Sequence, residues 1–429
     1  MIQDTSEECS AGATELFTTP PTQTSIVKRR TIHVYPSPAI VTDAPIEFYI
    51  PASDEHYTNL NHALLLDVKI VKSDNGSALT AEDDNKVGLS NFPLHALFSQ
   101  VDVYINDRLV TSSANTYSYS AVFEKLLTYD AQTLEYQFSS ELIKLDEKLD
   151  TVDGSNAGWK ARAAYTNQSK TVTLRGSLHI PILRQERLLL NQCSVKIKLH
   201  PNNRKFYLMA AADSYKLDIV SARFELEKLE MNPDLLNEHA DKLRKQNAIY
   251  PIRRGEMKTF SIPAGNTSAV KENLFVGKLP RRLIVAKVDS EAYNGKISLN
   301  PFNFQPFGLN YLCAYVDGER YPTKALQPDF TNGKFLDCLG SLYDGTGMRN
   351  DDRTLAIRRE NYAEGYALYV IHMSPGEPDC PAYDLSQKGN IRLEMKFNGP
   401  LAKTITTLVY AEYDDQLEID NDRNIMIDV

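Results

Sequence analysis

The densest set of potential ligands in this chain is Asp414-Asp415, Glu418, Asp420 and Asp422. Clustered carboxylates hold calcium when a twelve-residue loop delivers them around a glycine at its sixth position. Counted from Asp420, that position is Ile425, and the chain ends before the twelfth. The expectation is a solvated acidic tail instead, and Glu82-Asp83-Asp84-Asn85 reads in the same way as an exposed loop. The eight histidines stand singly, without the paired spacing a metal-binding barrel would offer. His95 and His179 fall within strand-like runs and are expected in the core or at its rim.

The remaining chemistry-bearing patterns are absent from the sequence. No GxxxxGK[ST] phosphate loop, GxGxxG turn, HExxH pair or GxSxG elbow occurs. Carboxylates for glycoside cleavage are plentiful, but nothing selects a pair. The 23 tyrosines would suit a polysaccharide-binding face, yet tyrosine is also favoured in strands, and no aromatic cluster repeats at groove spacing. Neither a catalytic residue, a metal site nor a cofactor is assigned.

Five cysteines (Cys9, Cys193, Cys313, Cys338, Cys380) are scattered, odd in number and without a CxxC pair. That argues against a disulfide framework or thiolate zinc, and for a reducing compartment. No secretory leader is recognised, so the sequons at Asn75, Asn167 and Asn266 are expected to be unused. No apolar run approaches the ~18 residues of a membrane span. The net charge of −9 is opposite to the balance of a dedicated duplex-DNA binder. The small basic clusters Lys28-Arg29-Arg30, Arg253-Arg254 and Arg281-Arg282 are expected to be solvated or to pair across interfaces.

The elements that would position any site are strands. From Pro45 onward, short alternating runs are bounded by Gly, Pro, Asn and Asp, among them 101–105, 195–199 and 391–397. Such runs make half-buried antiparallel strands, and many of them with few helices mean a sandwich or barrel. Residues 1–40 lack periodicity and are rich in Thr, Ser, Pro and Glu, which predicts an extended arm ordered only by a partner.

The chain also repeats itself. Phe48-Tyr49-Ile50-Pro51-Ala52 returns as Phe260-Ser261-Ile262-Pro263-Ala264. Tyr104-Ile105-Asn106-Asp107-Arg108 has a counterpart at Tyr315-Val316-Asp317-Gly318-Glu319, and both centres suit a tight hairpin turn. A short amphipathic helix follows each turn: Tyr119, Val122, Phe123, Leu126 and Leu127 share one face, and Phe335, Cys338, Leu339, Leu342 and Tyr343 repeat that spacing. Charged alternating strands at 195–199 and 391–397 then close the two halves. Features in one order at a nearly constant offset predict two copies of one β-domain, spanning 41–231 and 248–429. Asn232-Pro233, a cap followed by proline at the first helical position, opens a connecting helix over 232–247.

Residues 97–106, 117–121 and 124–129 resemble the major capsid proteins of Polinton (Maverick) elements, adintoviruses (there called hexon) and virophages. So do Ala248-Ile249-Tyr250-Pro251-Ile252-Arg253-Arg254, Asn300-Pro301-Phe302-Asn303-Phe304, Gln327-Pro328-Asp329-Phe330 and Leu408-Val409-Tyr410-Ala411-Glu412-Tyr413. The likeness runs from about Pro45 to the C-terminus. It implies an all-β chain of two tandem eight-stranded jelly-roll sandwiches, a double jelly roll, with a few short helices in connecting loops. It further implies a structural, non-enzymatic subunit that trimerises into pseudo-hexagonal capsomers of an icosahedral virion capsid, assembled in the host cytoplasm or nucleus.

The expected partners are other copies of itself, a penton or vertex protein and minor capsid proteins, with no sequence-specific nucleic-acid binding and no transmembrane segment. The aromatic loop 300–307 and the segment 321–330 are the candidate trimer contacts, through Phe302, Phe304, Phe307, Tyr321 and Phe330. Lys28, Arg29 and Arg30 would tie capsomers together or face inward. The competing readings are a tandem jelly-roll carbohydrate-binding or glycoside-processing protein, and a vertex protein, which a single jelly roll would serve better.

Overall fold

Ten strands form in the first half of the chain among the residues described: β1 (Ile26–Val34), β2 (Ile46–Ile50), β3 (His56–Lys72), β4 (Val87–Leu89), β5 (Phe98–Ile105), β6 (Arg108–Leu109), β7 (Val172–Gly176), β8 (Val195–Pro201), β9 (Leu208–Ala210) and β10 (Tyr215–Met231). The second half holds β11 (Ala248–Ile262), β12 (Ser268–Lys278), β13 (Arg282–Asp289), β14 (Leu309–Val316), β15 (Glu319–Leu326), β16 (Tyr369–His372), β17 (Lys388–Phe397), β18 (Ile405–Ile419) and β19 (Ile425–Met426). The computed structural model describes residues 12–427 except 15, 18, 42, 113, 350, 352 and 379.

Sheet order makes the duplication explicit. The first half stacks β1-β10-β3-β7 on β2-β8-β5-β6, and the second stacks β11-β18-β13-β16 on β12-β17-β14-β15. Strand for strand these are one antiparallel plan used twice, with β4-β9 and β19 as additions. Alternation accounts for β8: Val195, Ile197 and Leu199 are buried while Lys196 and Lys198 stay half-buried. The β5–β6 turn has φ +46° at Asn106 and +61° at Asp107, and the β14–β15 turn has +49° at Asp317 and +97° at Gly318. Positive φ at both central residues matches the right-handed twist of the strands, which is why Asn, Asp and Gly stand there. Each roll carries its longest, helix-containing excursion between equivalent strands, β6 to β7 and β15 to β16.

One repeated feature is not equivalent. Phe48 lies on β2 opposite Ile197, whereas Phe260 lies on β11 opposite Thr407. The counterpart of β2 is β12. The shared pentapeptide reflects a common circumstance, an edge strand ended by proline, and no common place in the fold.

Residues 26–34, taken above as part of an arm, form edge strand β1, paired antiparallel with β10 from Val34↔Phe224 to Ile26↔Met231. Most of its side chains are exposed, so no apolar alternation marks it. Main-chain hydrogen bonds hold it in place. Between the rolls, the helix Pro233–Leu243 begins as its sequence indicates, with the Asn232 side chain accepting from the Asp234 N–H and Pro233 in the first turn.

Candidate assembly surfaces and the junction that positions them

The helix Tyr117–Thr128 of the first roll lies against the second, and its aromatic residues form the contact. Tyr119 stacks on Tyr293 at 5.7 Å and meets Phe302 edge-on at 5.7 Å. Phe123 lies 5.3 Å from Phe304 and 6.4 Å from Tyr410. Phe302 also meets Phe92 and Phe206 of the first roll edge-on. Phe302 is 1% exposed and Phe304 fully buried, so neither offers surface to another subunit. Their expected role as trimer contacts is corrected: they plug the junction inside one chain. An apolar loop signals that something covers it, and here the cover is the chain's own first roll.

Hydrogen bonds reinforce that junction. Arg162 is completely buried, giving Nε–H to the Leu89 carbonyl and Nη2 to both Asp146 carboxylate oxygens, each at 2.9 Å. From the second roll, Asn300 donates its amide to Asp146 at 3.1 Å, and Tyr366 donates its hydroxyl to the Asp146 carbonyl at 3.0 Å. Asp150 accepts from the Asn300 backbone and from the Asn303 side chain. A buried charge pair is tolerable when its remaining lone pairs are satisfied, and the second roll does that here.

The two histidines expected in the core belong to a closed cluster of charges. The Tyr117 hydroxyl is hydrogen-bonded to His95 Nδ1 at 3.0 Å and accepts the His179 backbone N–H. His95 Nε2 faces Glu141 at 3.2 Å, and Lys125 donates to the same carboxylate at 3.0 Å. His179 and Arg184 both pair with Glu124, to which Tyr410 of the second roll donates at 3.3 Å. Burial pushes both imidazoles below their usual range and pushes Glu124 up. Burial also pulls upward on Glu141, but the His95 and Lys125 contacts hold it below its usual value. Tyr410 reaches Glu124 because β11 carries Gly255, where a Cβ would overlap the tyrosine ring.

The acidic run of the C-terminal strand is no solvated tail. Asp414 and Asp415 are on β18, which lies antiparallel to β11 with Arg253 opposite Asp414. Arg254 binds Asp415 at 2.9 Å, Arg281 and Arg253 flank Asp414, and Arg282 binds Glu412 at 2.8 Å. The basic pairs and the acidic run, separate puzzles in the sequence, are partners across neighbouring strands. Among the described residues no group of three or more His, Cys, Asp or Glu side chains is placed to hold a metal. Cys193, Cys313 and Cys338 are buried free thiols, and Cys9 lies outside the described residues.

Lys287 gave no signal in the sequence. It sits inside the second sandwich, its ammonium 4.1 Å from the Tyr369 ring, and burial lowers its pKa to about 7. Only the folded chain reveals that both faces of this strand are covered, six consecutive residues from Leu283 to Val288 being buried.

Surface candidates are few. Phe307, Tyr321 and Phe330 are half-buried; Phe330 stacks on Phe335 at 5.4 Å, and Lys403 lies over Phe307. Lys28, Arg29 and Arg30 project from β1, with Arg29 reaching Glu227 at 3.5 Å. Residues 1–11 of the expected arm lie outside the described residues. Among the described residues no helix is long and apolar enough to cross a membrane.

Two equivalent eight-stranded sandwiches locked by a shared core define the double jelly-roll class. No protein-family model matches the chain. It is 26% identical over 421 residues to an uncharacterized protein of Caenorhabditis elegans, covering 95% of this chain and 99% of that one. The cryo-EM structure of the Sputnik virophage aligns over 99% of this chain and 93% of its own, with TM-score 0.64 at 13% identity. The PBCV-1 virus capsid gives TM-score 0.60 at 10% identity over 96% and 99% of the two chains. The mavirus major capsid protein gives 0.54 at 13% over 99% and 95%. Likeness at these identities establishes the fold: the chain is a double jelly roll with the architecture of these capsid proteins.

Proposed function

We propose that this chain is a structural major capsid protein of a virus or Polinton-type element. Three copies would form a pseudo-hexagonal capsomer of an icosahedral shell. The observation that carries the reading is the repeated sheet plan: two equivalent rolls per chain give six similar units around a three-fold axis, which suits a hexagonal lattice site. The fold neighbours, taken from virus and virophage capsids, support it. The aromatic-rich junction fits a rigid tile, since it leaves the rolls little freedom to move against each other.

In this reading Phe307, Tyr321 and Phe330 remain candidates for the contact between subunits. The β1 edge, with Lys28, Arg29 and Arg30, presents unpaired backbone groups and positive charge to neighbouring capsomers. Vertex and minor capsid proteins complete the shell, and no cofactor or catalytic step is assigned. A carbohydrate-binding role would need an open aromatic groove, and the clustered rings lie in the junction and cores.

The native mass of the purified protein tests the proposal. A capsomer is expected at about 145 kDa, three times the 48.3 kDa chain, with a hexagonal outline by negative-stain microscopy. A stable monomer at micromolar concentration would overturn it.

A further inference from the structure

An apolar groove of about 590 Å³ lies between the C-terminal half of the helix Pro233–Leu243, the start of β11 and the segment leading to β8. Tyr57, Leu190, Met231, Leu243, Ile249 and Tyr250 line its floor, and Ile249 remains 42% exposed. Its walls are held in place: the Tyr57 ring stacks on His239 at 5.9 Å, with a 2.9 Å hydrogen bond between the hydroxyl and Nδ1. Arg187 is fixed by a hydrogen bond to the Ile249 carbonyl. An open apolar groove of this size on a surface calls for an occupant.

The chain carries a segment of matching chemistry beside it. The Asn232 N–H and side-chain amide donate to the carbonyls of Ser25 and Thr24, so the polypeptide leading into β1 runs past the start of the groove-forming helix. Upstream, Leu16 is 77% and Phe17 97% exposed. Residues 1–18 contain Asp4, Glu7, Glu8 and Glu15 and neither Lys nor Arg. Facing that charge, the groove rim carries Arg187 and Lys242, the latter in an exposed 2.5 Å pair with Glu238 one turn back, and the carboxylate of Glu418, whose oxygens already accept from Asn247 and Gln416. Pro20-Pro21 separates the apolar pair from Thr24. Consecutive prolines favour an extended chain, which gives Leu16 and Phe17 reach beyond Thr24.

We propose that Leu16 and Phe17 of one copy insert into this groove of a neighbouring copy, with the acidic residues around them meeting Arg187 and Lys242. This names the partner of a surface within the assembly reading, and rests on that reading for the presence of a neighbour. Each chain then gives one plug and receives one, a heterologous contact that propagates from copy to copy.

The test uses full-length chains bearing Cys9→Ser and Cys380→Ser. Chains with Phe17→Cys under one affinity tag are co-expressed with chains bearing Ile249→Cys under another, then mildly oxidised. The expected result is a disulfide-linked adduct carrying both tags, formed only when both cysteines are present. Arg187→Glu with Lys242→Glu should slow its formation about fivefold, the scale of two exposed charge contacts. Bond formation only within single chains carrying both cysteines would overturn insertion between copies, and no bond in either arrangement would overturn the groove as the receptor. The native mass separates this from the capsomer reading: trimers without the adduct sink the insertion alone, and a monomer without it sinks both.

Discussion

The rings of Phe123 and Phe304 lie 5.3 Å apart, although one belongs to a helix of the first roll and the other to the loop ahead of β14 in the second. Both side chains are fully buried. The two rolls therefore share one continuous core. Aromatic side chains contribute most where they bury most area, and tilted or edge-on pairs add about 0.5–1.5 kcal/mol beyond that burial.

Phe304→Ala should accordingly cost about 3–5 kcal/mol, because the cavity would be lined by rings from both rolls that cannot collapse into it. The urea midpoint of the variant should fall for probes placed in either roll. A midpoint that drops for one roll only, or not at all, would show that the junction does not couple them. Any change in native mass should follow this loss of stability, since Phe304 is fully buried within the chain.

Asp146→Asn should be as damaging by a different route. It leaves the buried Arg162 guanidinium without its counter-charge, a change that typically costs about 3–5 kcal/mol. Adding Arg162→Met removes the orphaned charge and should restore part of the loss. A double-mutant cycle reads the coupling directly, and strictly additive effects would rule out the mutual dependence argued from the geometry.

Acid should destabilise the first roll through His62. Its Nδ1–H donates to the Leu60 carbonyl and its Nε2 accepts the Leu178 N–H, while the ring stacks on Phe224 at 4.8 Å. Both nitrogens are thus committed in the neutral form, and burial lowers the pKa from 6.5 to about 4. With the folded value below the unfolded one, the contribution is fully present above pH 6.5 and lost as pH falls toward about 4. The scale is roughly 3 kcal/mol. His95 and His179, also shifted down by burial, act in the same sense, and Glu124, shifted up, opposes them. Comparing midpoints of the parent and His62→Gln at pH 7.5 and pH 5 isolates the His62 share. Identical pH dependence in the two would refute it.

Strand class, the two Asn-Asp and Asp-Gly hairpins, the helix faces at 119–127 and 335–343 and the start of the connecting helix were all legible as sequence. Each is a local matter: alternation, a positive-φ turn or a cap is decided by residues within a few positions of one another. β1 was not legible, because its middle, from Val27 to Thr31, is exposed on both faces and only Ile26, Ile32 and Val34 towards its ends pack on the core, too few to set an apolar period. The partners of Asp414, Asp415 and Glu412 were hidden for a related reason. Register across β11, β13 and β18 sets them beside Arg253, Arg254, Arg281 and Arg282, and register is a property of paired strands.

The same division governs what Phe302 and Phe304 do. By itself the sequence determined that the loop 300–307 is aromatic and must be covered, because exposed rings of that number are costly in water. Only the tertiary structure decided that the cover is Phe92, Tyr119, Phe123 and Phe206 of the same chain. Hydrophobic burial has no direction and no preference for a partner. A burial requirement is therefore written in composition, while its fulfilment depends on which surfaces the fold brings together.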